Sequence, residues 1–266
     1  MANDTTSDNS QLTAVLVAGA KKGTLPLNSD GSFLYVPGTK FKGKDGFTYK
    51  AYNGTKLTNV ARVKINATTD DIVFDITDGE IIPTDEYMAD LKMLGAAITW
   101  GGSYDMPVTV KATIGSETFE PWGAYDLPVD GNVNIHTTLD YELPDVYDAD
   151  TPISILGRSW KKTDSSYDGS SNSHWEQELE FDSASGTPNV LVLRDGDAVP
   201  AIEPFQNQTS IVSFLQGYVD DATDTVVLND NQAILLYELG TTDLSSSSAD
   251  FQDLVVLVTL KKVISE

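Results

Sequence analysis

Carboxylates at every second position are the most chemically suggestive feature of this chain. In His174-Trp175-Glu176-Gln177-Glu178-Leu179-Glu180-Phe181-Asp182, an extended backbone places His174, Glu176, Glu178, Glu180 and Asp182 on one face. Trp175, Leu179 and Phe181 fall on the other. Carboxylates in line on one strand could supply the nucleophile and the acid/base of a retaining glycosidase, which stand about 5 Å apart. Glu176 and Glu180 would be that pair. The same residues could equally be an exposed strand face, or a ladder held by calcium.

A second group lies near the C-terminus. Asp250 and Asp253 in Asp250-Phe251-Gln252-Asp253-Leu254-Val255 immediately precede an apolar run. With Glu238 and loop carbonyls they could bind calcium, a hard cation that takes oxygen ligands. Alternatively, Asp250 bonds local backbone N–H groups and shapes the turn into the last strand. A third group is aromatic: Trp100, Trp122, Trp160 and Trp175 with eleven tyrosines. Sugar sites combine apolar faces with a few placed polar groups. Trp122 and Tyr125 in the loop Glu120–Tyr125, and Trp175 with Glu176 and Glu178, are the candidate glycan-binding residues. The alternative is that these rings fill a core.

Other chemistries find little support. The two histidines, His136 and His174, suggest no Ser-His-Asp arrangement. Gly101-Gly102 is too short for a phosphate loop. Cysteine is absent, which excludes disulfides, zinc-thiolate sites and cysteine nucleophiles. Acidic loops around Pro144 and at Asp220–Asp224 lack EF-hand spacing and read as solvated surface.

Charge divides the chain. Of the net -23, residues 1–68 hold nine Lys/Arg against four Asp/Glu, a net +5, and the remainder eight against thirty-six, a net -28. The acidic part repels nucleic acid and anionic lipid. It could bind cations or a basic neighbour, including the first part of another copy, or simply confer solubility in a salty medium. Met1–Ser10 is polar and lacks the apolar stretch of a secretion signal. The strongly apolar run Leu254–Leu260 is too short to span a bilayer, so no membrane insertion is expected. Export would need a signal since removed, or one carried by a longer parent chain.

Short apolar runs between Ser, Thr, Asp, Asn and Gly clusters indicate an all-β chain. The spacing predicts a first domain over residues 1–68 with strands at 12–17, 33–36, 47–52 and 60–65. Its turns are Asn28-Ser29-Asp30-Gly31 and Asn53-Gly54. A second domain, 69–266, is predicted as a larger jelly-roll-like β-sandwich with about ten strands: 72–74, 97–100, 108–114, 132–139, 153–160, 174–181, 190–193, 225–228, 233–239 and 254–263. Two short helices are expected, at 84–94 and 210–218. Leu254–Val258, apolar on both faces, belongs in a sheet centre.

Leu27-Asn28-Ser29-Asp30-Gly31-Ser32-Phe33-Leu34-Tyr35-Val36-Pro37, with Phe41–Ala51 after it, resembles the cadherin-like, Ig-like repeat of giant bacterial surface proteins, the VCBS-type repeats. The resemblance implies an Ig-like sandwich outside the cell. The family's first strand is missing, and its aspartate-rich loop is reduced to Thr6–Ser10, short of the six to eight oxygens that calcium requires. The gap at the edge fits a fragment of a tandem array, a different N-terminal fold, or a strand supplied by another subunit. Residues 174–182 are loosely similar to the Glu-x-Asp-x-Glu strand of jelly-roll β-glucanases, with Glu178 where that family has Asp. Asp250–Val255 resembles a signature in secreted bacterial β-domains of unknown function.

The expectation is a non-catalytic extracellular module of a bacterial or archaeal surface adhesin or filament. It would self-associate or contact neighbouring repeats, and its candidate cofactor is calcium. Alternatives are a calcium-assisted glycan-binding module, a virion decoration protein and a jelly-roll glycosidase.

Overall fold

Alternation of side chains decides most of what the backbone does. The computed structural model describes residues 12–33, 35–37, 43–67, 72–100, 104–135, 137–166, 168–204, 208–220 and 222–263. These fall in two units, Met1–Asp70 and Asp71–Glu266.

In the first unit the strands are β1 (Thr13–Ala18), β2 (Gly23–Thr24), β3 (Val36–Pro37), β4 (Gly43–Tyr52) and β5 (Ala61–Ala67). β4 is central, with β1 and β5 antiparallel on either side, and β2 pairs with β3. Tyr49 lies between Leu16 of β1 and Ala61 of β5. Along β5, Val63 and Ile65 are half-buried while Arg62 and Lys64 are exposed, as the alternation predicts. The Asn28–Gly31 turn forms as expected. Gly31 has φ +89°, Asn28 N–H donates to the Ser32 carbonyl, and Asp30 Oδ1 accepts from Ser32 N–H at 2.9 Å. At the second turn, Gly54 also has φ +89°, and Asn53 Oδ1 accepts from Thr55 and Lys56 N–H.

The second unit continues with β6 (Phe74–Thr77), β7 (Glu80–Pro83), β8 (Tyr87–Gly95), β9 (Thr99–Trp100), β10 (Tyr104–Asp105), β11 (Val108–Ile114), β12 (Glu117–Phe119), β13 (Leu139–Glu142), β14 (Ile153–Lys162), β15 (Trp175–Asp182) and β16 (Val190–Leu193). After them come the one-turn helix α1 (Ile211–Phe214), β17 (Val219–Asp220), β18 (Thr225–Val226), β19 (Gln232–Tyr237) and β20 (Leu254–Lys262). The chain passes back and forth between two antiparallel sheets. One runs β12-β11-β14-β7-β6, with β15 also on β14, and the other runs β13-β8-β20-β19-β16. Their facing sides share one core, in which Val110, Ile114 and Ile155 join Leu91, Leu235 and Val256. Hydrogen bonds also join the sheets, among them those from Tyr237 Oη to the Ile155 carbonyl at 2.6 Å and from Ser159 Oγ to the Leu239 carbonyl at 2.7 Å. The outer face of the second sheet is also covered, by Ile211 and Leu215 of α1 and its following turn and by Val226 of β18. β20 therefore lies between β8 and β19 with Leu254–Val258 buried throughout, in the central place its composition requires.

Three sequence expectations are corrected. Residues 84–94 contain no helix: Tyr87, Ala89, Leu91 and Met93 are buried in alternation along strand β8. Positions i and i+4, such as Tyr87 and Leu91, share a face in a helix and in a strand alike, so the stripe did not discriminate. Gly95, expected to stop that helix, instead lets Phe214 lie against the sheet, because a Cβ there would meet the Phe214 ring. Second, 132–139 is largely loop. Asn132 Oδ1 accepts from Val108 and Asn134 N–H, and Asn134 Nδ2 donates to the Ile98 and Met106 carbonyls. Asparagines thus replace a ladder, and β13 begins only at Leu139. Third, the helix expected over 210–218 is one turn. Ser210 Oγ accepts from Ser213 N–H, and Gly217 at φ +90° ends the segment. No helix among the described residues is long and apolar enough to cross a membrane.

Candidate functional site

The β19–β20 connection leaves and re-enters the sheet at paired positions, since Tyr237 lies opposite Leu254. Glu238 directly follows β19 and Asp253 directly precedes β20, with Asp250 three residues before Asp253. One carboxylate oxygen of each lies within 4.8 Å of the others, and all three residues are at most 2% exposed. Pairing of the two strands thus gathers three carboxylates that are separated in sequence.

Backbone donors fix their geometry. Glu238 Oε1 accepts from Gly240 and Thr241 N–H, both at 2.9 Å. Its Oε2 accepts from Asp250 N–H at 2.8 Å and Phe251 N–H at 3.3 Å. Phe251 adopts φ +55°, a left-handed conformation that non-glycine residues rarely take. Asp253 Oδ2 accepts from Leu239 N–H at 2.5 Å, and Gln252 Nε2 donates to Asp250 Oδ2 at 2.9 Å. Burial, then the nearby charges of Glu238 and Asp250, push the Asp253 carboxyl well above its usual range, against the pull of the Leu239 amide. A buried group that cannot easily ionise holds a proton or a cation. Glu238 and Asp253 also line the space beside Gly240, where a Cβ would stand 3.2 Å from Glu238 Oε1. The cluster can therefore serve as a loop clamp and, with its carboxylate donors, as a calcium site.

On β15 the glutamates are matched by cations of β14. Glu180 Oε2 accepts from Arg158 Nε at 2.6 Å and from Tyr125 Oη at 2.8 Å. Lys161 pairs with Glu178, and with Glu176 at 3.8 Å. The Arg158 guanidinium also reaches Asp126 at 2.6 Å and lies 4.0 Å over the Tyr125 ring. This is a cross-strand ion-pair ladder, in which each carboxylate already has a partner.

The expected aromatic site is not assembled as read. Tyr125 is fully buried and its hydroxyl is committed to Glu180, so its ring offers no face to a sugar. Trp122 packs against the sandwich core. Trp175 stands apart from both, in a cleft of about 150 Å3 with Trp100 and Tyr104. Those two rings were missed as its partners. Trp100-Gly101-Gly102-Ser103-Tyr104 carried the available signal, two aromatics flanking a Gly-Gly pair, and β9 and β10 do pair Trp100 with Tyr104.

In the first unit Asp45 is a node. Its carboxylate accepts from the backbone N–H of Lys21, Lys22 and Gly46 and from Tyr35 Oη. Desolvation acts to raise its pKa, but those donors prevail and lower it to about 2.

The family model described as a bacterial Ig domain matches residues 1–66. No curated protein and no solved structure matches the chain. Such a domain suggests a surface or extracellular module with a structural or adhesive role. The three-stranded sheet and its two glycine turns, with this match, are consistent with a bacterial Ig-like repeat segment over residues 1–66.

Proposed function

We propose that this chain is a non-catalytic structural or adhesive module of a bacterial or archaeal cell surface, which self-associates or joins neighbouring repeats through the open sheet of its first unit. One observation carries the reading: β1 has a single partner strand among the described residues, and its Val15, Leu16 and Val17 are 42%, 44% and 50% exposed. Among the described residues the second edge of β1 is met only by the turn at Ser29, whose carbonyl accepts from Ala14 N–H at 2.8 Å. The apolar stretch beyond it, Val15 to Val17, is a template for another strand. The net +5 of residues 1–68 and -28 of the remainder favour a second copy as that partner. Head-to-tail contact of this kind builds fibres rather than closed rings. The ion-paired glutamates of β15 favour a role without hydrolysis. Light scattering and electron microscopy of the whole chain test the reading. Fibres or concentration-dependent oligomers are expected, weakened by salt and lost in Leu16→Lys. Monomers at every salt and calcium concentration would end it.

A second reading concerns calcium in the second unit, and the gathering of Glu238, Asp250 and Asp253 favours it. Calcium would be held by these carboxylates and would take the place of the proton on Asp253. It should raise the melting temperature followed by tryptophan fluorescence, which reports only the second unit because all four tryptophans lie there. Asp250→Asn should lose that rise. An unchanged melting temperature in calcium leaves the cluster a purely structural clamp.

A further inference from the structure

We infer that the cleft formed by Trp100, Tyr104 and Trp175 is a binding subsite for a neutral glycan. It lies in the second unit and does not depend on how the first unit associates. It would give the adhesive role a chemical target.

The rings are presented rather than stored. Trp100 is 55% exposed and Tyr104 46%, although burying either would be favourable. They are cross-strand partners in the β9–β10 pair, which places both rings on the same face at a spacing set by strand pairing. Trp175 is held from behind. Its Nε1–H donates to the Gly169 carbonyl at 2.9 Å, and Gly169 at φ +78° lies so close that a Cβ there would stand 2.8 Å from the indole. The loop bearing Gly169 is closed by the Thr163 N–H bond to the His174 carbonyl at 2.9 Å. The indole is thereby oriented before any ligand arrives, which reduces the ordering cost of binding.

Polar groups line the same cleft. The Lys162 ammonium lies over the Tyr104 ring, 4.2 Å from its centre, and 5.7 Å from that of Trp175. It therefore covers one face of Tyr104 and leaves exposed Trp100 as the main stacking platform. Exposed Asp164 adds a carboxylate. Exposed aromatic faces suit the C–H faces of a pyranose, while an ammonium and a carboxylate lining the same cleft can bond its hydroxyls. This is the usual division between apolar walls and a few placed polar groups. Sites for drug-sized ligands start at about 300 Å3, so a cleft of about 150 Å3 takes one ring, with the rest of the chain lying on the surface. The net -28 of residues 69–266 repels polyanions, which leaves neutral sugars as the fitting class.

The test uses the whole chain in native gels cast with hydroxyethylcellulose, xylan, galactomannan or dextran, and reads tryptophan fluorescence on titration with each. Retardation by at least one polysaccharide is expected, with a fluorescence shift. Trp100→Ala should weaken it about tenfold, the equivalent of one stacking contact, at unchanged melting temperature. Because Trp100 is exposed, that variant separates binding from folding. No retardation by any of the four would overturn the inference. So would equal binding by Trp100→Ala, tighter binding of alginate or heparin, or binding of a polyproline peptide in place of glycan. None of these results bears on the oligomeric state by which the role of the first unit is judged.

Discussion

The two units solve the same problem differently. Both are built of antiparallel strands with apolar side chains to cover, yet in the first only Phe47 and Ala51, among the described residues, are buried hydrophobics. In the second, the β8-β20-β19 sheet is covered on both sides. A sheet gains stability from what its apolar face is packed against. The second unit supplies that partner from its own chain. The first leaves Val15, Leu16 and Val17 exposed at its margin, the surface that the proposed association would cover. Local order in the first unit rests instead on polar nodes such as Asp45 and on the ring contact between Phe33 and Phe47, at 4.9 Å.

Truncating one leucine in each unit measures this difference. Leu235→Ala, fully buried between the sheets, should cost about 2–5 kcal/mol, read as a fall in the denaturation midpoint of tryptophan fluorescence. Leu16→Ala on β1 should change the stability of the first unit by about 0.5 kcal/mol or less, although it removes the same atoms. Its readout is the denaturation midpoint of the first unit's amide NMR signals, since that unit holds no tryptophan. If the two variants cost the same, the contrast between a closed and an open core is wrong. The smallest effect concerns pH. The Asp45 carboxyl titrates near 2 when folded against 3.8 as its ordinary value. Its contribution is therefore complete above about 4 and disappears as pH falls through 2. Amide shifts of Lys21 and Lys22 in NMR should titrate with a midpoint near 2, and Asp45→Asn should remove that transition. A midpoint at the ordinary value would mean that the four donors do not hold the carboxylate in solution.

Much of the fold was legible because burial writes itself into composition. Val108–Ile114 and Val190–Leu193 are strands with the bounds their patterns predict, and the doubly apolar Leu254–Val258 is central. Where two periods share positions, as between Tyr87 and Leu91, the pattern was ambiguous, and pairing of β8 with β20 resolved it. The carboxylate group was legible for a local reason: Glu238, Asp250 and Asp253 flank one loop, so closing the hairpin must bring them together. The aromatic cleft was not. Trp100 and Trp175 come from distant segments, and no short-range rule unites them. Tyr125, placed by sequence on an exposed loop, is buried by its contacts with Arg158 and Glu180.

The sequence by itself determined the all-β class, the glycine turns, the charge division and the likeness of residues 1–66 to a bacterial Ig domain. These follow from local preferences and from alternation, which act within a few residues. Tertiary structure alone decided which glutamates on β15 are neutralised, which aromatics face solvent and which margin is left uncovered. Those depend on how strands pair and sheets stack, and such contacts join residues that no local pattern connects.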